Sequence, residues 1–331
     1  MQKLDFNHTF LARLALILFI ASELCYYLLI AQTGVVEYFS SDIMAIAPLP
    51  IGGMVGSFLT YYLKISNKNK IAIFLTLQLS MSFFYPNFSI YTLFILGISV
   101  GALAPLLINE LKKAKAIDLG LALSISYVVG TLFFNYEASL RGTLAIGLTL
   151  IPLICLFFLP KKKLFSTIKV EYSLFIMVLW VFLDSALFET LSRDINISIW
   201  RDGYTLEIVL FHIIGVFTAL KYQLNRNHKE LLIIVLFAFS YLLYFLQEAF
   251  ILSLIYPFVI SYYNVAILQT ILKKGLKAIA VYMVFIGWVA SGAGLFVALN
   301  GLTLFVPIVL LIGVLNIFNS QYTKKEELNY A

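Results

Sequence analysis

The stretch PKKKLFSTIKVEYS, residues 160–173, is a basic island at the midpoint of an otherwise greasy chain. Lys161, Lys162, Lys163 and Lys169 cannot rest in hydrocarbon, so this stretch reads as an aqueous loop between two apolar halves. The surroundings set the class. Of the 331 residues 62% are hydrophobic and 12% charged, whereas a soluble domain is about a quarter charged. The composition is that of an integral, multi-pass membrane protein, and the island divides it into residues 1–160, a linker at 161–172, and residues 173–331.

A bilayer core about 30 Å thick takes roughly 20 apolar residues per helical span. Working outward from the island, such runs lie near 10–31, 43–63, 71–86, 90–109, 117–134 and 142–160 on one side. On the other they lie near 173–191, 204–221, 231–246, 249–272, 278–298 and 301–319. The expected fold class is an all-α polytopic protein of about 12 transmembrane helices, six in each half. Because the third and ninth runs are short and the last four are closely spaced, the range is ten to twelve.

Lys and Arg in short loops mark the cytoplasmic side. With the N-terminus inside, the inner set is Lys3 and Arg13; Lys64, Lys68 and Lys70; Lys112, Lys113 and Lys115; the four lysines of the island; Lys221, Arg226 and Lys229; Lys273, Lys274 and Lys277; and Lys324 and Lys325. That is 20 of 23 basic residues, with only Arg141, Arg193 and Arg201 outside. Both ends are therefore expected inside. Basic residues spread over every inner loop are topology signals and not a nucleic-acid surface, so no nucleic-acid partner is expected. Cys25 and Cys155 lie within spans at opposite depths, which argues against a disulfide, and no metal-type cysteine spacing exists. The first apolar run is too long for the core of a cleaved signal peptide and reads as the first span.

The two halves echo one another, a pattern common in transporters. Shifting the second back by about 161 residues lays KYQLNRNHK (221–229) on KISNKNK (64–70), LKKGL (272–276) on LKKAK (111–115), and Gly215 beside Gly53. The same shift lays Asp184, in LWVFLDSALFETLSRD (179–194), on Glu23. Matching basic loops are common to any evenly spaced bundle. Matching mid-span acids are not.

A 6 plus 6 plan, a basic central loop and both ends inside resemble the major facilitator superfamily over nearly the whole chain. That family carries a glycine followed four residues later by an aspartate and a basic run between its second and third spans. Here GSFLTYYLKISNKNK, from Gly56, has Thr60 at the aspartate position and Tyr61 at the first basic one. In the second copy Gly215 is followed by Val216, Phe217, Thr218 and Ala219, again without the acid. The fourth span, LGISVGALAPLLINE (96–110), has the family's small residues but no mid-span arginine, and the fifth lacks the glycine-proline pattern of the antiporters. The resemblance implies secondary transport by alternating access, with the first, seventh and tenth spans lining a central cavity.

Ionisable groups at the bilayer centre cost roughly 2.5–3.5 kcal/mol on insertion scales, so they are functional candidates by default. Asp184 and Glu23 each lie about 15–16 Å along their spans at about 1.5 Å per residue. A carboxyl group kept from water favours its protonated form, which suits proton acceptance, and its anion suits a cationic solute. His212, at a depth similar to that of Asp184, is its candidate partner in a relay. Glu189 lies on another face, four residues before Arg193, the spacing of a same-face ion pair, and is a secondary coupling candidate. On the tenth span Tyr263, Asn264 and Gln269 are candidate cavity-lining residues, beside Tyr256 and Tyr262. Gly97, Gly101, Gly287, Gly292 and Gly294, with Ser291, make small faces suited to close helix packing. Each acid, histidine or amide also has a plain role in tying helices together.

With no phosphate-cradling glycine loop, no His-Glu-x-x-His pattern and no soluble domain large enough for a nucleotide, an ATP-driven pump is excluded and no cofactor or metal is expected. The function expected is a secondary transporter of a small solute, proton-coupled through the mid-membrane acids, in a bacterial cytoplasmic (inner) membrane. The alternatives are a membrane-embedded enzyme acting on a lipid or lipid-linked substrate, and a biogenesis or scaffold protein on a transporter-like fold.

Overall fold

The computed structural model describes residues 2–39, 42–160, 171–194, 196–222 and 224–329, and side chains within 10–317 of these. All but Glu171 and Tyr172 of the expected linker lies outside the described residues. The described residues form helices and no strand. In chain order these are α1 (Gln2–Tyr26), α2 (Thr33–Tyr38), α3 (Ile43–Ile46), α4 (Pro48–Tyr62), α5 (Asn67–Ser82), α6 (Ile90–Leu111), α7 (Ala116–Phe134) and α8 (Gly142–Cys155). They continue with α9 (Leu174–Arg193), α10 (Thr205–Lys221), α11 (Arg226–Phe245), α12 (Ala249–Ile271), α13 (Leu276–Met283), α14 (Ser291–Leu299) and α15 (Val306–Asn329). Two π-helical segments, Tyr27–Gln32 and Val284–Ala290, carry α1 into α2 and α13 into α14.

Among the described residues, eight stretches are long and apolar enough to cross a membrane: Phe10–Tyr38, Ile43–Tyr62, Ile90–Leu111, Ala116–Phe134, Leu174–Arg193, Arg226–Phe245, Ala249–Ile271 and Leu276–Leu299. Gly142–Cys155 and Leu302–Ile317 are shorter apolar helices. Helix ends follow local chemistry. Ser66, Ser89 and Ser173 cap α5, α6 and α9 by accepting from the backbone N–H of Asn69, Thr92 and Ile176. The ninth run, which begins near 231 by apolarity, starts five residues earlier as α11. The charged residues that continue the helix there have partners: Arg226 pairs with Glu230 at 2.7 Å and the Lys229 ammonium lies over the Tyr262 ring.

The chain divides into two compact units, Met1–Ile168 with Ile271–Trp288, and Lys169–Thr270 with Val289–Ala331. In the first, α1 packs on α7 and α8, α5 on α6 and α8, and α4 on α6 and α13. The α4–α6 seam brings backbone onto backbone. A Cβ at Gly101 would lie 2.1 Å from the Gly53 carbonyl oxygen, and one at Gly52 2.1 Å from that of Phe94. Only glycine allows this approach, which supplies van der Waals contact where lipid removes the hydrophobic drive between helices. In the second unit α9 packs on α14 and α11. A Cβ at Gly294 would fall 2.6 Å from Ser185 Cβ, so this small face is used for tight packing on the helix that carries Asp184.

Candidate functional site

In the second unit the centre is Asp184, three turns into α9. Tyr263 and Tyr256 stand seven residues apart on α12, two turns along one face. Tyr263 donates its hydroxyl to Asp184 Oδ2 at 2.6 Å, and Tyr256 to Oδ1 at 2.9 Å. The site is backed by aromatic rings: Tyr256 meets Trp200 edge-on, Trp200 meets Phe188, and Tyr263 leans on Phe237. The backbone is fixed on either side of the acid. Tyr241 donates to the Leu183 carbonyl at 2.7 Å, and Ser185 Oγ to the Ser291 carbonyl of α14 at 2.8 Å. Both tyrosines are buried while Asp184 stays partly exposed. Each carboxylate oxygen holds one phenolic hydrogen bond and keeps acceptor capacity for one more, so the group can receive a proton or a ligand's donor.

His212, on α10, is buried and its Nδ1 lies 2.7 Å from Ser261 Oγ on α12. The described hydrogen bonds therefore take Asp184 and His212 to different residues of α12, where similar depth alone had made them candidate partners. Glu189 and Arg193 form the i,i+4 pair, with Oε2 to Nη2 at 2.8 Å, and Arg193 Nη1 also donates to the Glu189 carbonyl. Of the cavity-lining candidates, Tyr263 touches Asp184, Asn264 beside it is half-buried, and Gln269 is buried farther along α12.

In the first unit Glu23 sits on α1 with only 7% exposure. Gln78 of α5 donates from Nε2 to Glu23 Oε1 at 3.2 Å and to Thr149 Oγ1 of α8 at 3.1 Å. Ser82, one turn on, donates to the Gln78 backbone carbonyl at 2.8 Å, and its hydroxyl meets Tyr26 OH at 2.9 Å. Between α7 and α8, Arg141 is 1% exposed. It donates to the carbonyls of Leu29, Phe134 and Tyr136 and to Thr33 Oγ1 at 2.7–2.9 Å, with Glu37 at 3.7 Å. Leu29 belongs to the first π segment, whose widened turn leaves carbonyls for such a donor. Nearby, burial pushes the Tyr85 hydroxyl up to about 12, against the pull of Arg141, and it donates to the Ala138 carbonyl.

Sequence reasoning passed over Gln78, Thr149 and Arg141, and noted Tyr256 on the tenth span without linking it to Asp184. Gln78 is an amide in the middle of IAIFLTLQLSMSFF (71–84), a visible signal. Arg141 gave none, since a charge beside an outer loop reads as a topology marker.

No protein-family model matches the chain, and no curated protein does. Solved structures do. The chain is similar to the proton:xylose symporter XylE bound to 6-bromo-6-deoxy-D-glucose, with a TM-score of 0.59 over 94% of this chain and 95% of that one, at 13% identity. The fold is that of the major facilitator superfamily. The transporter FucP in its outward conformation gives the same likeness, with a TM-score of 0.58 over 93% and 95% of the two chains at 14% identity. In this facilitator fold, with its long apolar helices, the protein is an integral multi-pass membrane protein. At this identity the likeness carries the fold alone.

Proposed function

We propose that the protein is a secondary active transporter, not an enzyme, moving a small solute by alternating access between two six-helix halves with both ends cytoplasmic. Proton movement is coupled through Asp184 and Glu23. The observation that carries this reading is Asp184: a carboxyl group deep in an apolar helix, partly exposed, and clasped by two tyrosine hydroxyls. A group that only tied helices together would gain from complete burial with every acceptor filled, whereas this one keeps acceptor capacity on an open side. The facilitator fold supports the reading, as does the proton symport named for one of its structural neighbours. The substrate partner is a small hydrophilic molecule that donates hydrogen bonds to the carboxylate, and the membrane is a bacterial cytoplasmic one.

The test is uptake into proteoliposomes of a panel of sugars, polyols and small organic cations, with and without an imposed pH gradient. Wild type is expected to concentrate one solute class only when the gradient is present. Asp184→Asn is expected to lower that uptake at least about tenfold, the loss for a hydrogen bond to a charged group worth about 1.5–3 kcal/mol. Uptake by Asp184→Asn at the wild-type rate and pH dependence would contradict the assignment, and a lipid product formed without solute uptake would point to an enzyme.

A further inference from the structure

The Gln78 side chain is fully buried, both amide hydrogens are used, and its amide oxygen Oε1 has no partner. An orphaned acceptor buried among apolar helices is costly. The acid beside it poses a second difficulty. Among the described residues no cation stands against Glu23, because the charged groups on the elements around it are engaged elsewhere. Arg13 of α1 is paired with Asp118 of α7 at 2.5 Å, Lys70 of α5 donates to the Thr60 carbonyl, and Glu110 of α6 pairs with Lys113. Lys68 of α5 lies over the Phe157 ring. Further titratable groups on these helices are uncharged thiols and phenols, among them Cys25, which donates to the Ser126 carbonyl, Tyr26, bonded to Ser82, and buried Cys155 of α8. An ionised Glu23 would thus be a buried charge facing only neutral dipoles, with one amide N–H at 3.2 Å as its support.

Both difficulties have one solution. We infer that Glu23 carries a proton in this conformation and that Gln78 is the positioning residue for it, the two side chains closing a cyclic acid–amide pair. Gln78 Nε2–H donates to Glu23 Oε1, and the acid O–H on Oε2 donates to Gln78 Oε1. The second amide hydrogen remains on Thr149, so every polar atom of the amide is then satisfied, which the ionised acid cannot achieve. The fold holds the amide in register for this. Thr149 anchors it from α8, itself fixed by its bond to the Ala145 carbonyl, while the Ser82 bridge ties the same turn of α5 to Tyr26 on α1. Loss of the proton would set the anion against the amide oxygen, so release requires the amide to turn or the helices to part. Gln78 thereby links the charge of Glu23 to the packing of α1, α5 and α8. The inference rests on the coupling role proposed for Glu23 and assigns Gln78 to it.

Infrared difference spectroscopy on the full chain in lipid vesicles near neutral pH tests this without any solute. Subtracting the spectrum of Glu23→Gln from that of wild type is expected to leave the carbonyl stretching band of one protonated, hydrogen-bonded carboxylic acid. In Gln78→Leu and Gln78→Met, checked for folding by circular dichroism, that band is expected to move to higher frequency as the acid loses its hydrogen bonds. Absence of an acid band in the wild-type difference spectrum, or one at the same frequency in both Gln78 variants, would overturn the inference. If neither variant folds, the wild-type band decides: a hydrogen-bonded acid frequency supports the pair, and a free-acid frequency or carboxylate bands refute it. A protein that moved no solute yet showed the band would refute the transport reading and leave the acid–amide pair standing.

Discussion

Tyr256 and Tyr263 reach Asp184 from one face of α12, and their removal separates their two bonds cleanly. Tyr263→Phe deletes the 2.6 Å bond to Oδ2 and leaves the ring against Phe237, so packing is kept while the carboxylate loosens. Transport kcat/KM is expected to fall about tenfold or more, in line with about 1.5–3 kcal/mol for a hydrogen bond to a charged group. Tyr256→Phe is expected to cost about as much, and the double variant less than the sum, because both act on one carboxylate. Initial uptake rates over a range of solute concentration measure this. Arg141 is the contrasting case, structural in kind. Arg141→Met would orphan carbonyls on three segments and is expected to destabilise by about 3 kcal/mol or more, read as a lowered unfolding midpoint in detergent. Glu37→Gln removes only a half-exposed partner at 3.7 Å and is expected to change the midpoint little.

Helices α4 and α6 meet through Gly52, Gly53, Gly56, Gly97 and Gly101, and α9 meets α14 through Gly294. Gly101→Ala would drive a methyl into the Gly53 carbonyl, and Gly294→Ala into Ser185 and the backbone of Ala186. Each is expected to cost about 1–3 kcal/mol by overpacking. Gly292→Ala, whose Cβ would enter open space, is the matched control and is expected to be near neutral; thermal unfolding of the three variants decides. Much of the element layout was legible in the sequence, since apolar runs in lipid must be helices and the basic residues between them must be loops. Gly97, Gly101 and Gly294 were legible as contact residues because small side chains let helices approach, whereas Gly292, read the same way, faces open space. The extents of α5 and α11 were less so, because Lys70, Lys229 and Glu230 look like loop until their partners are known. The two π segments left no mark in composition at all.

At the scale of the whole molecule, the echo between Glu23 and Asp184 and the resemblance to the facilitator superfamily were readable before any coordinates, because charged mid-span residues are rare. Their surroundings were not. Nothing in the sequence spacing separates an acid clasped by two phenols from one paired with an amide, since those partners come from helices far along the chain: 72 and 79 residues away for Asp184, 55 for Glu23. The two acids thus hold like positions in the two halves of the sequence and unlike environments in the fold. In the transport cycle we propose, that difference divides their labour, with Asp184 open to a ligand and Glu23 enclosed with its proton. The most direct test records proton movement itself, with a pH-sensitive dye trapped in proteoliposomes while a transported solute is added outside. Wild type is expected to acidify the interior as solute enters, and Glu23→Gln to exchange solute across the membrane with no acidification. Solute entry by the wild type without proton movement, or equal acidification by Glu23→Gln, would contradict the account.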